Sequence, residues 1–382
     1  MKLEGLSEGK HWSPSTFREL LSDQKYSTVM LTSTVAFLIS ALIHFPLQKS
    51  PLYYSDFVYS FWGRSGLLTG IPYINYMFEY PPISGLVLWV GGWGSHGSQF
   101  VFLIIEFGIL LAFMLFTTHV VYQFLNYLGL NYNRQLLFSI FVPSVIFYGA
   151  YNFDLIQAFF VVFCLYLFIA RRRFLLSAIV LGLAVATKLT PALLLPLFLQ
   201  EFRDNKSRVR FTATAAGVVM AFNFPFALAN FSVWLQGYLY LKGWGLEDSF
   251  LVWIFPNPNS WPMAKDVSLA LVGVSALLIY TYFRPKPLLT RAFMVMVAFT
   301  LFSYIASPQM NVDILPLFAL VPLVPLSLFY LLEISNAAII LSWFEFPNPT
   351  LPGIAQTFAL IRQIYLAFVL GLLGFSRKEV NT

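Results

Sequence analysis

Three charged side chains sit close together between Ser50 and Ser84, in SPLYYSDFVYSFWGRSGLLTGIPYINYMFEYPPIS: Asp56, Arg64 and Glu79, the last followed by Tyr80-Pro81-Pro82. A carboxylate within hydrogen-bond reach of a substrate hydroxyl can take its proton as a general base, and Asp56 is the candidate for that work. The two prolines stiffen the chain just after Glu79 and Tyr80 and so aim both side chains. Aromatic rings surround the charges (Tyr53, Tyr54, Phe57, Tyr59, Phe61, Trp62, Tyr73, Tyr76, Phe78). That mixture belongs at the headgroup level of a bilayer and implies chemistry on an amphiphilic substrate.

Other candidates lie further along the chain. Asp154, in Tyr151-Asn152-Phe153-Asp154, opens an apolar run, where a carboxylate also stabilises a helix N-terminus. Lys188, in Thr187-Lys188-Leu189-Thr190-Pro191, can meet a phosphate as a point charge or snorkel along a helix. Gln309 after Pro308 reads as a polar contact at a helix end, and Glu106, on an otherwise apolar helix, is expected to pair inside the bundle. His44, His96 and His119 are scattered without metal-ligand spacing, and no Gly-rich phosphate loop or Ser-His-Asp grouping is visible. Asp56 has no second acid beside it, so no metal and no other cofactor is required. The single cysteine, Cys164, excludes an internal disulfide.

The elements that position these residues are membrane helices. Of 382 residues, 58% are hydrophobic and 10% charged, with a mean hydropathy of +0.73, where a soluble domain carries about a quarter charged residues. The net charge of +6 does not indicate nucleic acid, because the basic residues do not share a soluble face. They form clusters between apolar runs: Arg171-Arg172-Arg173, Arg203 to Arg210, Arg284 to Lys286 and Arg377-Lys378. That is the positive-inside pattern, and it sets the topology.

With the N-terminal segment 1–27 in the cytoplasm, the first span is Thr28 to Pro46, a retained helix and not a signal peptide. A first outer loop, 47–98, follows, with a membrane-dipping piece at Ile83 to Val90. Spans are then expected at Phe100 to Leu125, Leu136 to Tyr148 and Leu155 to Ala170. Phe174 to Gln200 reads as a hairpin of two short helices broken at Lys188, and irregular backbone at that depth makes Lys188 a cavity candidate. Phe211 to Ala229 leads to a second outer loop, 230–265. The remaining spans are Val267 to Phe283, Ala292 to Ile305, Ile314 to Leu332, Ala337 to Phe346 and Ile354 to Leu373, before a cytoplasmic tail, 377–382. The expectation is an all-α bundle of about ten to twelve crossings, one transmembrane domain over 28–376, with no soluble domain and no internal repeat. Trp244 and Glu247-Asp248 join the other candidates on the outer side, so the site is expected at the extracytoplasmic face of the plasma membrane.

The order of an outer-loop Asp, Gly-Ile-Pro-Tyr (70–73), Phe-Glu-Tyr-Pro-Pro (78–82), Tyr-Asn-Phe-Asp-Leu-Ile (151–156), Thr-Lys-Leu-Thr-Pro (187–191) and Ser-Pro-Gln (307–309) resembles the GT-C superfamily of membrane glycosyltransferases. The resemblance is greatest to the GT87-like, polyprenol-phosphate-mannose-dependent mannosyltransferases. It implies inverting transfer of a hexose, usually mannose, from a polyprenyl-phosphate donor to a lipid or glycan hydroxyl. Carried over by position, Asp56 would be the base, Lys188 and Arg64 would hold the donor phosphate, Tyr80 and the prolines would shape the pocket, and Asp154 and Gln309 would be wall contacts; Glu79 is a further substrate-binding candidate. Related glycosylphosphatidylinositol mannosyltransferases carry Asp-x-Asp where this chain has Asp56-Phe57-Val58, which argues against metal dependence. A lipid-phosphate leaving group departs with its charge already stabilised, so a base and a cation suffice. The competing readings are a flippase of lipid-linked saccharide, which predicts polar inner halves of the spans, and an assembly subunit whose carboxylates tolerate replacement.

Overall fold

The computed structural model describes residues 23–45, 54–135, 142–345 and 352–376. Most of the N-terminal segment, the tail with Arg377-Lys378, Tyr53 and the first part of the expected Leu136 to Tyr148 span lie outside them. The described chain is all-helical: six helices are long and apolar enough to cross a membrane, and four more are apolar helices of 10–17 residues. It is a polytopic helical bundle.

Helix α1 (Gln24–His44) is capped by Asp23, whose carboxylate accepts from the Lys25 backbone N–H at 2.9 Å. A single π-helical turn, Asp56–Phe61, follows, then α2 (Pro82–Gly94), the expected dipping helix, and α3 (Gln99–Leu128). α3 stops where Gly129 takes a φ of +65°, a left-handed cap that only glycine adopts without cost. Short α4 (Pro143–Tyr148) leads to α5 (Asp154–Ile169), and α6 (Phe174–Thr187) runs back. The hairpin expected over Phe174 to Gln200 is present with unequal arms: α6, a 3-10 turn at Thr190–Leu194, and α7 (Leu195–Glu201). Its two ends meet where the Phe174 and Phe202 rings lie 5.4 Å apart.

α8 (Asn205–Ala229) and α9 (Phe231–Gly243) precede α10 (Trp261–Thr281), so much of the segment 230–265, expected as a loop, is helix. α11 (Leu288–Phe302), α12 (Met310–Leu320), α13 (Leu326–Glu345) and α14 (Ile354–Phe375) complete the bundle. Here the expectation needs correction. Ile314 to Leu332 is not one span: α12 ends at Leu320, and Pro322 and Pro325 lack the N–H that would carry a helix through. Leu326 onward belongs instead to one long helix that also absorbs most of the expected Ala337 to Phe346 span.

α5 and α11 form the centre, buried along most of their length, and α5 packs on α3, α6 and α12. That explains why they read as apolar on every face. α8 and α10 lie at the periphery and expose Met220, Phe224 and Leu228, and Leu269, Val274 and Leu277, as helices do whose solvent is hydrocarbon. Glu106 does not pair as expected: it is fully buried on α3 with neither oxygen hydrogen-bonded among the described residues, packed against Gly91 of α2.

Candidate active site

The π-helical turn fixes Asp56. Ser55 caps the turn by accepting from the Val58 N–H at 3.2 Å, and the Asp56 N–H donates to the Tyr151 carbonyl at 3.1 Å. Phe153 is the pin beneath: its ring meets Phe57 at 5.1 Å, Phe61 at 5.5 Å and Tyr80 at 5.5 Å. Three distant segments thereby share one aromatic core, which explains why residues 53–80 are so rich in rings.

Both carboxylate oxygens of Asp56 are engaged. Oδ1 accepts from the Tyr54 hydroxyl at 3.1 Å and Oδ2 from the Asn152 amide at 2.6 Å. The same Asn152 nitrogen donates to the Tyr80 hydroxyl at 2.7 Å, so one amide sets both side chains. Loss of water raises the Asp56 carboxyl to about 7, with Glu247 and Asp154 pushing the same way and the hydrogen bonds from Tyr54 and Asn152 opposing. A carboxyl poised there is half ionised near neutrality, the range in which a side chain can exchange protons with a substrate.

Asp56 opens into a cleft of about 480 Å³ whose wall also includes Glu79, Tyr80, Tyr151, Trp244, Glu247, Asp248, Trp261, Ser307, Gln309 and Trp343. The 244–248 segment is held against 304–307 by backbone bonds, Glu247 N–H to the Tyr304 carbonyl at 3.0 Å and Ala306 N–H to the Glu247 carbonyl at 2.8 Å. The Glu247 carboxylate accepts from Trp244 Nε1 at 2.7 Å and the Ser307 hydroxyl at 2.8 Å. Burial, then Glu247, drives the Asp248 carboxyl well above the usual carboxylate range, with Arg362 opposing. No Lys or Arg lines this wall among the described residues. Acceptors interleaved with rings suit a polyhydroxylated, partly apolar ligand.

The structure brings Asp56, Glu79, Tyr80 and Gln309 together on the wall. Arg64 stands behind, in a two-pronged ion pair with Glu79, one contact at 2.8 Å, and over the Phe78 ring at 5.2 Å. Lys188 does not line the cleft as the cavity reading expected. Its ammonium pairs with the buried Asp154 and lies 4.0 Å from Asp313, because a cation in a dry bundle needs opposite charge. It also lies 5.9 Å over the Tyr80 ring, so the Asp154–Lys188 pair supports Tyr80 from behind. Ser84, one turn into α2, ties this region to α6 through the Thr187 carbonyl at 2.9 Å.

Sequence reasoning missed Asn152, Asp313 and Arg362. Arg362, in α14, is fully buried and donates to Asn336 at 3.0 Å and to the Asp248 carbonyl at 3.1 Å, and also reaches the Ala306 carbonyl. Its signal was available: an arginine inside an apolar 22-residue helix marks a function or a partner by default. Asn152 gave none, since a neutral amide in a loop is ordinary until its two partners are known.

Fold and cleft together define a polytopic membrane protein with an acidic, aromatic site lined by loop segments and by residues of α9, α10 and α13. Residues 78–308 match the family described as Glycosyltransferase family 87. That is more than half of the sequence, and the chain belongs to this family: it is an integral-membrane glycosyltransferase. No curated protein matches it.

Proposed function

We propose that the protein transfers a hexose, mannose by the resemblance above, from a polyprenyl-phosphate donor to a lipid or glycan hydroxyl, with inversion and with Asp56 as the general base. The observation that carries this reading is the Asp56 carboxylate, held by Tyr54 and Asn152 at the cleft wall and raised to about 7 by burial. Asp56 takes the acceptor proton, the freed oxygen bonds to the anomeric carbon, and the carbon–oxygen bond to phosphate breaks with its electrons leaving on the polyprenyl phosphate. Glu79, Tyr80 and Gln309 contact the substrates. Arg64 contributes positive charge behind Glu79 for the phosphate, and Lys188 with Asp154 steadies Tyr80.

No divalent metal or other cofactor takes part on this reading. Support comes from the sequence at the base, where Asp56-Phe57-Val58 supplies no second acid two residues on. Helices α5, α8, α10 and α11 each have one end toward the cleft side and the other at a basic cluster (Arg171 to Arg173, Arg203 to Arg210, Arg284 to Lys286). The charge rule then favours a cleft on the extracytoplasmic side of the plasma membrane.

The test is sugar transfer from radiolabelled polyprenyl-phosphate mannose to endogenous membrane lipids at equal expression. Asp56→Asn is expected to lower the rate by about a hundredfold or more, the usual contribution of a positioned base. Equal transfer by wild type and Asp56→Asn removes Asp56 from the role. Chelation with EDTA is expected to leave the wild-type rate unchanged.

A further inference from the structure

Two buried acceptors on the cleft wall have no hydrogen-bond partner among the described residues: Asp248 Oδ1 and Gln309 Oε1. Their residues are 4% and 8% exposed, and both line the cleft. Buried polar atoms are almost always paired, so acceptors left open at a cavity wall point to a ligand that completes them.

Asp248 is also aimed by force. Its backbone has a φ of +49°, a left-handed conformation costly for a non-glycine residue. Its carbonyl is clamped by Arg362 at 3.1 Å and Gln363 at 3.3 Å, both from α14. The clamp reaches Ala306 as well, and so fixes the Asp248 segment relative to the segment that carries Gln309.

The chemistry of the wall selects the ligand. Four carboxyl residues, Asp56, Glu79, Glu247 and Asp248, line the cleft and suit donors such as hydroxyls. Rings from Trp244 and Trp261 beside them offer apolar faces to a sugar's C–H side. We infer that Asp248, assisted by Gln309, receives the hydroxyls of the transferred hexose and determines which sugar the donor must carry; Arg362 is the positioning residue behind it. This rests on the glycosyl-transfer reading above.

The purified full chain in nanodiscs is titrated by tryptophan fluorescence with three probes: a prenyl-phosphate mannose, its glucose epimer and the same prenyl phosphate without sugar. Wild type is expected to bind one sugar-bearing lipid at least about tenfold more tightly than the bare phosphate, as one or two net hydrogen bonds allow. Asp248→Asn is expected to remove most of that preference and leave the bare lipid's affinity unchanged. Gln309→Ala is expected to narrow it by a smaller factor, and decides the matter if Asp248→Asn does not fold. The proposal is overturned if the preference survives both substitutions, if both lipids weaken equally, or if wild type shows no preference. A wild type that keeps the preference but transfers no sugar refutes the donor reading and leaves the sugar contact standing. A variant that binds donor as wild type but has a raised KM for a glycan acceptor reassigns Asp248 to the acceptor and also overturns the proposal.

Discussion

Asp56 illustrates how a side chain acquires reactivity from its neighbours. Burial favours its neutral form, and two hydrogen bonds favour the ion, leaving a carboxyl that titrates near 7 instead of near 4. The base form exists above that value, so kcat/KM for transfer is expected to rise with pH through about 7 and to level off above it. Tyr54→Phe deletes a bond made to the ionised form, so the acid limb of that profile is expected to move to higher pH, measured in the same transfer assay from pH 5 to 9. A limb that stays in place would mean another group governs it. Asp56, Glu79, Tyr80 and Gln309 were legible in the sequence because charge beside rings and prolines is rare in an apolar chain. Asn152 was not, since its importance lies in a contact between residues 96 positions apart. Lys188 was legible as important but not in its partners, because only the fold shows that Asp154 and Asp313 face it.

At the scale of elements, the helices followed from hydropathy, while the junctions did not. The Pro322 and Pro325 break was in plain sight, yet the apolar run continues through it and hydropathy alone carries a span across. A polar layer lies under the cleft: Asn336 of α13 donates to the Pro308 carbonyl and to Ser144, both at 2.9 Å, and Arg362 of α14 joins it. Arg362→Met would strand two buried acceptors, Asn336 Oδ1 and the Ala306 carbonyl, while Gln363 still serves the Asp248 carbonyl, at about 1–3 kcal/mol for each group left unpaired. The variant is expected to lose monodisperse elution after milder heating than wild type. α9 approaches the site through Gly237, where a Cβ would collide with the Phe78 carbonyl oxygen. Gly237→Ala must push α9, with Tyr240, off the wall, and is expected to lower kcat/KM by about tenfold or more, since small displacements near reacting groups carry that penalty. An unchanged kcat/KM would show that α9 does not shape the site.

At the scale of the whole molecule, sidedness is the testable property. Cys164 is fully buried, so the wild-type chain is a silent background for thiol labelling. Thr69 and Lys206 are both exposed. In intact cells a membrane-impermeant maleimide is expected to label Thr69→Cys and to reach Lys206→Cys only after the membrane is opened; the reverse pattern would put the cleft in the cytoplasm. The cleft draws on residues 54–61, 79–80, 151, 240–248, 261, 305–309 and 339–343, and the clamp that sets Asp248 comes from α14, the final described helix. Chain order therefore acts as a timer. A ribosome-bound chain that has already inserted Asp56 and its aromatic pin still lacks residues that finish the pocket, so a complete cleft exists only after α14 has docked, and a protein truncated before α14 is expected to be inert rather than promiscuous.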